Sequence, residues 1–274
     1  MQRRAQDECC LKPCTVSIQS LLKDATLTGL SPFDVLGVTT ILVLTWHSGL
    51  LTACAPWRTI YSTDLTPKEE SMTRIILVRH GQTEWNRVVR FRGIIDVPLN
   101  DTGLAQARAV GRRLAPSPIS AVYSSPLSRA YQTAVAIAKP HGLTVVPHEG
   151  LRDIDFGAWG GLTPEEAEEM SPNLLPRWYT EPHLIRPPKG GTLGELRERV
   201  VLFVQDILAR HPDETIVLVA HQVVNRVLCC YLIGLDSSHY WRISQDNCCI
   251  DVFDYHDGRF DVVTLNDTCH LTGL

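Results

Sequence analysis

Two histidines stand at the ends of two apolar runs, among neighbours of the kinds that handle anions. Residues 73–86, TRIILVRHGQTEWN, carry Ile75, Ile76, Leu77 and Val78 into Arg79-His80-Gly81, and residues 215–220, TIVLVA, run into His221. Short, continuous, β-branched-rich runs of this kind are the pattern of strands buried on both faces of a parallel sheet. In such a sheet the ligand crevice lies outside the carboxyl ends of the strands. Two strands that each end in histidine can therefore bring both rings to one crevice. Gly81 lacks a Cβ, which predicts a close approach of backbone and ligand beside the imidazole. Another strand, residues 120–124, leads into SPLSRAYQT with Arg129, and a guanidinium forks naturally onto phosphate oxygens. Behind the strand at 143–146 follow three carboxylates, Glu149, Asp153 and Asp155. Each residue alone has an ordinary explanation: a polar turn after a strand, a surface cation, a solvated acid. Together they supply a nucleophile, cations for the equatorial oxygens and a proton donor for the leaving group, the requirements of phosphoryl transfer.

The remaining elements must position these groups. Asn100-Asp101-Thr102 starts a helix that runs to Leu114 and stops before Pro116, and Thr163-Pro164-Glu165-Glu166 is a capping box with proline at the first helical position. Residues 193–210 read as a long amphipathic helix, 223–235 as an apolar helix, and 248–255 and 259–265 as the strands that finish the sheet. Residues 91–100 form a loop punctuated by glycine and proline. Residues 171–191 are proline-rich and interrupted, and are expected to lie over the pocket with Trp178, Tyr179, His183, Arg186 and Lys189 as candidate substrate contacts.

The chain has 274 residues, 44% hydrophobic and 20% charged, ordinary values for a globular protein with a sizeable core. A net charge of −4 and a pI near 6.2 leave no basic footprint for nucleic acid. Nine cysteines, several in adjacent pairs and none with zinc-ligand spacing to a second pair, read as reduced thiols of a cytoplasmic protein. Residues 1–71 are expected to be an extension without a fold of its own, ahead of a catalytic domain from 72 to 274 with Met72 as the natural start. The apolar run at 35–46 is too short for a membrane span. A lipoprotein-type cleavage at Cys54 is the competing reading.

The segment Arg79-His80-Gly81-Gln82-Thr83-Glu84-Trp85-Asn86 resembles the signature of the histidine phosphatase superfamily, the phosphoglycerate mutase-like proteins, and the resemblance runs from about Met72 to the C-terminus. It is carried further by the loop at 91–100, the Arg129 segment, the Asp153 segment and His221. It implies an α/β fold, a three-layer α/β/α sandwich with a mostly parallel central sheet. It implies that His80 is phosphorylated during turnover, that Arg79, Asn86, Arg129 and His221 bind the phosphoryl group, and that the carboxyl at 153 is the general acid. The family has glutamate there, and Glu149 and Asp155 are the reserves. Where the family usually has glycine after the second histidine, this chain has Gln222, a change expected to alter a backbone turn. His80 must be neutral to attack, and Arg79, Arg129 and a charged His221 lower its pKa. No metal or cofactor is implied, because arginine and histidine supply the positive charge. The expected substrate is a small phosphomonoester, with phosphoglycerate mutase and a non-catalytic phospholigand-binding module as alternatives. A homodimer is compatible with these expectations.

Overall fold

The computed structural model describes residues 71–274. The expectations for the N-terminal extension, including the run at 35–46 and Cys54, lie outside the described residues. In chain order the elements are β1 (Thr73–Arg79), the single-turn α1 (Glu84–Arg87), α2 (Asp101–Leu114), β2 (Ile119–Ser124), α3 (Ser128–Ala138) and β3 (Val145–Pro147). They continue with α4 (Pro164–Met170), α5 (Leu175–Thr180), α6 (Leu193–Arg210), β4 (Thr215–Ala220), α7 (Gln222–Leu232), β5 (Ile250–His256) and β6 (Arg259–Asp267). The six strands form one sheet in the order β3-β2-β4-β1-β5-β6. β1 through β4 run parallel to one another, whereas β5 and β6 are antiparallel additions.

Alternation along the central strands divides the core in two. Ile75 and Leu77 of β1 and Ile216 and Leu218 of β4 pack with α6 and α7, while Ile76 and Val78, with Val217 and Val219, pack with α2 and α3. Strands buried on both faces read as continuous apolar runs, so helices cover both sides of the sheet and the molecule has three layers. The chain winds from β1 outward to β2 and β3 and then returns to insert β4 between β2 and β1. Right-handed crossovers put helices on opposite faces when the direction reverses. The chain therefore leaves β1 towards α2 on one face and leaves β4 towards α7 on the other. That divergence opens a crevice at the carboxyl ends of two adjacent strands.

Capping sets the helix starts. Asn100 caps α2 by accepting from the Gly103 N–H at 2.8 Å, and capping boxes at Thr163 and Thr192 open α4 and α6. Packing requires glycine at 81: a Cβ there would lie 2.6 Å from the Gly103 carbonyl, and one on Gly103 would lie 2.0 Å from that of Gln82. The two glycines let the N-terminus of α2 press against the turn after His80. The glycine is required by this packing.

Candidate active site

His80 and His221 are brought side by side by strand register. Arg79 pairs with Ala220 at the ends of β1 and β4, and the His80 N–H donates to the Ala220 carbonyl at 3.0 Å. The two rings lie 5.2 Å apart between centroids, tilted by 57°, and both are buried. The His80 tautomer follows from its partner. Nδ1 lies 2.6 Å from the Gly81 carbonyl, which can only accept, so Nδ1 carries the hydrogen and Nε2 keeps its lone pair. His221 is fixed in the opposite sense: Nδ1 accepts from Nε of Arg129 at 3.2 Å, and Nε2–H donates to Oγ of Ser125 at 2.7 Å. Burial, reinforced by Arg129, holds both imidazoles well below the ordinary histidine pKa. With Nδ1 accepting from Arg129, His221 is held in its neutral form.

Arg129 is wholly enclosed. Its guanidinium donates to the carbonyls of Ile95 at 2.8 Å and Gly93 at 2.7 Å and to Oδ2 of Asp153 at 3.3 Å. It therefore ties the loop at 91–100, the acid and the second histidine together. Arg79 donates through Nη1 to the Gln245 carbonyl, and the Gln245 side chain donates to Oδ2 of the buried Asp251 at 2.7 Å. Arg92 joins this group from the loop. Burial lowers the Arg79 pKa to about 10 and that of Arg92 to about 9, the latter with help from Arg79. Each of the two has a buried Nε with no protein acceptor. Three cations around one carboxylate, with donors to spare, make a site that favours an anion. α7 adds to this, since His221 is its N-cap residue and its first-turn N–H groups favour negative charge.

Of the three candidate acids, only Asp153 is buried. Oδ1 accepts from the Ile154 N–H at 3.0 Å, and Oδ2 lies 3.7 Å from Nδ1 of His221. Burial raises its pKa against the opposing pull of Arg129. Glu149 is exposed and pairs with Arg152 at 3.3 Å, and exposed Asp155 accepts from the Gly157 N–H at 2.8 Å. Asn86 caps the turn after the motif, its Oδ1 accepting from the Thr83 N–H at 2.9 Å.

A cavity of about 450 Å³ opens over these groups, lined by Arg79, Asn86, Arg92 and Asp153 among others. Residues 171–191 supply part of its wall, but only Trp178 and Tyr179 of the five candidates line it. His183 and Lys189 are exposed, and Arg186 pairs with Glu195 on the surface. Gln222 does more than alter a turn: it begins α7 and lines the cavity. Sequence reasoning missed Arg92, Asn247, Tyr240 and Trp241. Asn247 lines the cavity and donates to the His80 carbonyl at 3.1 Å. The only sequence signal was for Arg92, an arginine in the loop at 91–100 that carries part of the family resemblance. Among the described residues no group of three or more His, Cys, Asp or Glu side chains is arranged to hold a metal ion, and no helix is long and apolar enough to cross a membrane.

The depressed histidines make a stability prediction. A histidine held neutral in the fold takes up a proton only on unfolding, so below its unfolded pKa of about 6.5 it destabilises the native state as pH falls. Between pH 7.5 and 5.5 each such histidine should cost on the order of 1 kcal/mol of unfolding free energy. Asp251, whose burial raises its pKa to about 6, opposes this, because protonation there favours the fold; it is common to wild type and variant. His80→Gln should therefore lose stability less steeply than wild type over this interval, by about 1 kcal/mol in urea unfolding. Equal slopes would mean that His80 is not held neutral.

The comparisons agree with this geometry. A family profile, that of the histidine phosphatase superfamily (branch 1), matches residues 75–268. The chain is similar to phosphoserine phosphatase 1 of Hydrogenobacter thermophilus, 37% identical over 73% of this chain and 95% of that protein. It is also similar to a metal-independent phosphoserine phosphatase of Arabidopsis thaliana, 31% identical over 75% of this chain and 86% of that one. Among solved structures, Bacillus stearothermophilus YhfR superimposes with a TM-score of 0.70 at 30% identity, over 73% of this chain and 99% of that chain. Two histidines at adjacent strand ends, an enclosed arginine and a matched profile over most of its length lead to one assignment: the chain belongs to the histidine phosphatase superfamily.

Proposed function

We propose that the protein hydrolyses small phosphomonoesters through a phosphohistidine intermediate on His80. The observation that carries this reading is the His80 tautomer: Nδ1–H is spent on the Gly81 carbonyl, leaving Nε2 unprotonated among three arginines. In this reading the substrate phosphate lies against Arg79, Arg92 and Arg129, with Asn86 and His221 contributing to its binding. Cations preorganised in a dry site act on the charge of the transferring group without reorganising. Nε2 attacks phosphorus, the bond to the leaving oxygen breaks, and Asp153 gives that oxygen its proton. Water then attacks the phosphohistidine with Asp153 as base, the P–N bond breaks, and Nε2 recovers its lone pair.

The names of the relatives support hydrolysis. A mutase would need further cations for a second phosphate and a carboxylate, and the segment 171–191 offers only Arg177, Arg186 and Lys189: Arg177 pairs with Glu181 at 3.0 Å, Arg186 with Glu195, and Lys189 is exposed outside the cavity lining. The buried acid beside His221 and Arg129 favours catalysis over mere phospholigand binding. The free, buried thiols Cys229, Cys230, Cys248 and Cys249 support a reducing, cytoplasmic setting.

Asp153→Asn tests the proton donor. It should slow hydrolysis of an alkyl phosphate about 10²- to 10⁴-fold and that of p-nitrophenyl phosphate far less, because the aryl oxide leaves unaided. With the activated ester the variant should accumulate phosphoenzyme, for want of a base. Equal and small effects on both esters, with the leaving-group dependence appearing in Glu149→Gln or Asp155→Asn, would move the acid to that other position.

A further inference from the structure

The outer part of the cavity has a chemistry unlike its floor. Beyond the arginines its wall is built from Phe91, Phe156, Trp178, Tyr179, Tyr240 and Trp241. These rings form one connected set. Phe91 and Phe156 meet edge-on at 4.9 Å, Tyr240 and Trp241 at 4.9 Å, and Tyr179 lies over Trp241 at 5.5 Å. Their positions are held from behind. The Trp241 indole N–H donates to the Trp178 carbonyl at 2.9 Å, and the Arg226 guanidinium stacks 4.8 Å from the Trp241 ring and 5.1 Å from that of Tyr240. Tyr179 and Trp241 nevertheless keep 47% and 38% of their surface exposed. Rigid aromatic surface held open to solvent beside a reactive centre is suited to stacking a ligand ring at little ordering cost.

The cations are distributed in the opposite sense. The cavity is lined by three, Arg79, Arg90 and Arg92. Arg79 and Arg92 belong to the phosphoryl end, and the Arg90 guanidinium is already occupied by the Gly161 carbonyl at 2.6 Å and by Glu166 at 3.0 Å. A compact leaving group carrying a carboxylate, such as a phosphorylated hydroxy or amino acid, would bring its charge against rings. Among the lining residues no uncommitted cation is there to meet it, and Arg226, behind the wall, is stacked on the rings of Tyr240 and Trp241.

From this we infer that the leaving group preferred by the enzyme is a planar, apolar-faced ring system that stacks on the exposed rings of Tyr179 and Trp241, which the buried Tyr240 backs. The inference rests on the phosphomonoesterase reading above and departs from the substrate named for its phosphoserine-hydrolysing relatives. Both effects of the wall, attraction of a ring and rejection of a carboxylate, act on kcat/KM through the bound leaving group.

The test compares 2-(1-naphthyl)ethyl phosphate, ethyl phosphate and O-phosphoserine, all alkyl esters, so that leaving-group basicity does not by itself create the preference. Wild type should favour the naphthylethyl ester over both others by about tenfold or more in kcat/KM. Trp241→Ala and Tyr179→Ala should each reduce the ratio of naphthylethyl to ethyl ester several-fold. Tyr179 is half exposed, so its variant remains informative if Trp241→Ala folds poorly. The non-hydrolysable phosphonate analogues, titrated calorimetrically, should bind in the same order. If phosphoserine equals or exceeds the naphthylethyl ester, or if the ratio is unmoved in the Tyr179 variant, the inference is overturned while the phosphatase reading stands. If none of the esters releases phosphate yet the phosphonates bind in the expected order, the phosphatase reading fails and the ring preference stands. Phosphonate affinities without that order overturn it whatever the turnover.

Discussion

His80→Ala is expected to keep its fold and lose turnover by about 10⁴-fold or more in kcat, the scale on which removal of a covalent nucleophile acts. The two parts of this expectation have separate origins. Among the described residues the His80 side chain hydrogen-bonds to the carbonyl of the next residue alone, and the neighbouring apolar packing of β1 comes from residues 75–78. Removing a ring that the fold keeps neutral at a desolvation cost takes little from stability. Catalysis by contrast has no substitute nucleophile, because His221 has its Nδ1 engaged with Arg129 and its Nε2 with Ser125. Circular dichroism with steady-state rates on p-nitrophenyl phosphate would check both, and near-wild-type turnover would reject the covalent route.

Arg129→Met should damage fold and activity together. The enclosed guanidinium satisfies two loop carbonyls, holds the second histidine and faces Asp153. Losing one partner of a buried, hydrogen-bonded charge pair typically costs about 3–5 kcal/mol, and here the carbonyls of Gly93 and Ile95 lose their donors as well. Asp153 softens the loss by taking up a proton, since its pKa is already raised by burial. In activity, removal of a phosphoryl-binding donor should cost about 10²- to 10³-fold. Arg129→Lys keeps the charge without the fork, and should recover only part of either loss. An unfolding free energy from urea titration within about 1 kcal/mol of wild type, with kcat/KM within tenfold, would contradict this role.

The groups that were legible from sequence share one property: they sit where a strand ends. His80 and His221 follow apolar runs whose length and composition already state a doubly covered sheet, and parallel register then puts the rings together. Arg129 follows β2 in the same way. What could not be read is what comes to the cavity from elsewhere in the chain. Asn247 reaches it from the loop before β5, the Gln245 carbonyl holds Arg79 across 166 residues of sequence, and Tyr240 and Trp241 arrive on a short turn after α7. None of these has a periodicity that points to a site. The neutral state of His221 was equally hidden, because it depends on enclosure and on which nitrogen faces Arg129. Among residues 171–191, ring and cation looked alike as candidates. The structure separates them by solvation: Trp178 and Tyr179 turn to the cavity, whereas Arg186 finds Glu195 on the surface.

The most direct test of the central claim is rapid-quench labelling with a ³²P-phosphomonoester, followed by peptide mapping of the denatured enzyme. The account predicts label that is acid-labile and alkali-stable, on the peptide that contains His80, absent in His80→Ala and accumulating in Asp153→Asn with an activated ester. Label on another residue, or burst-free turnover with no phosphoenzyme in the wild type and in Asp153→Asn, would contradict it.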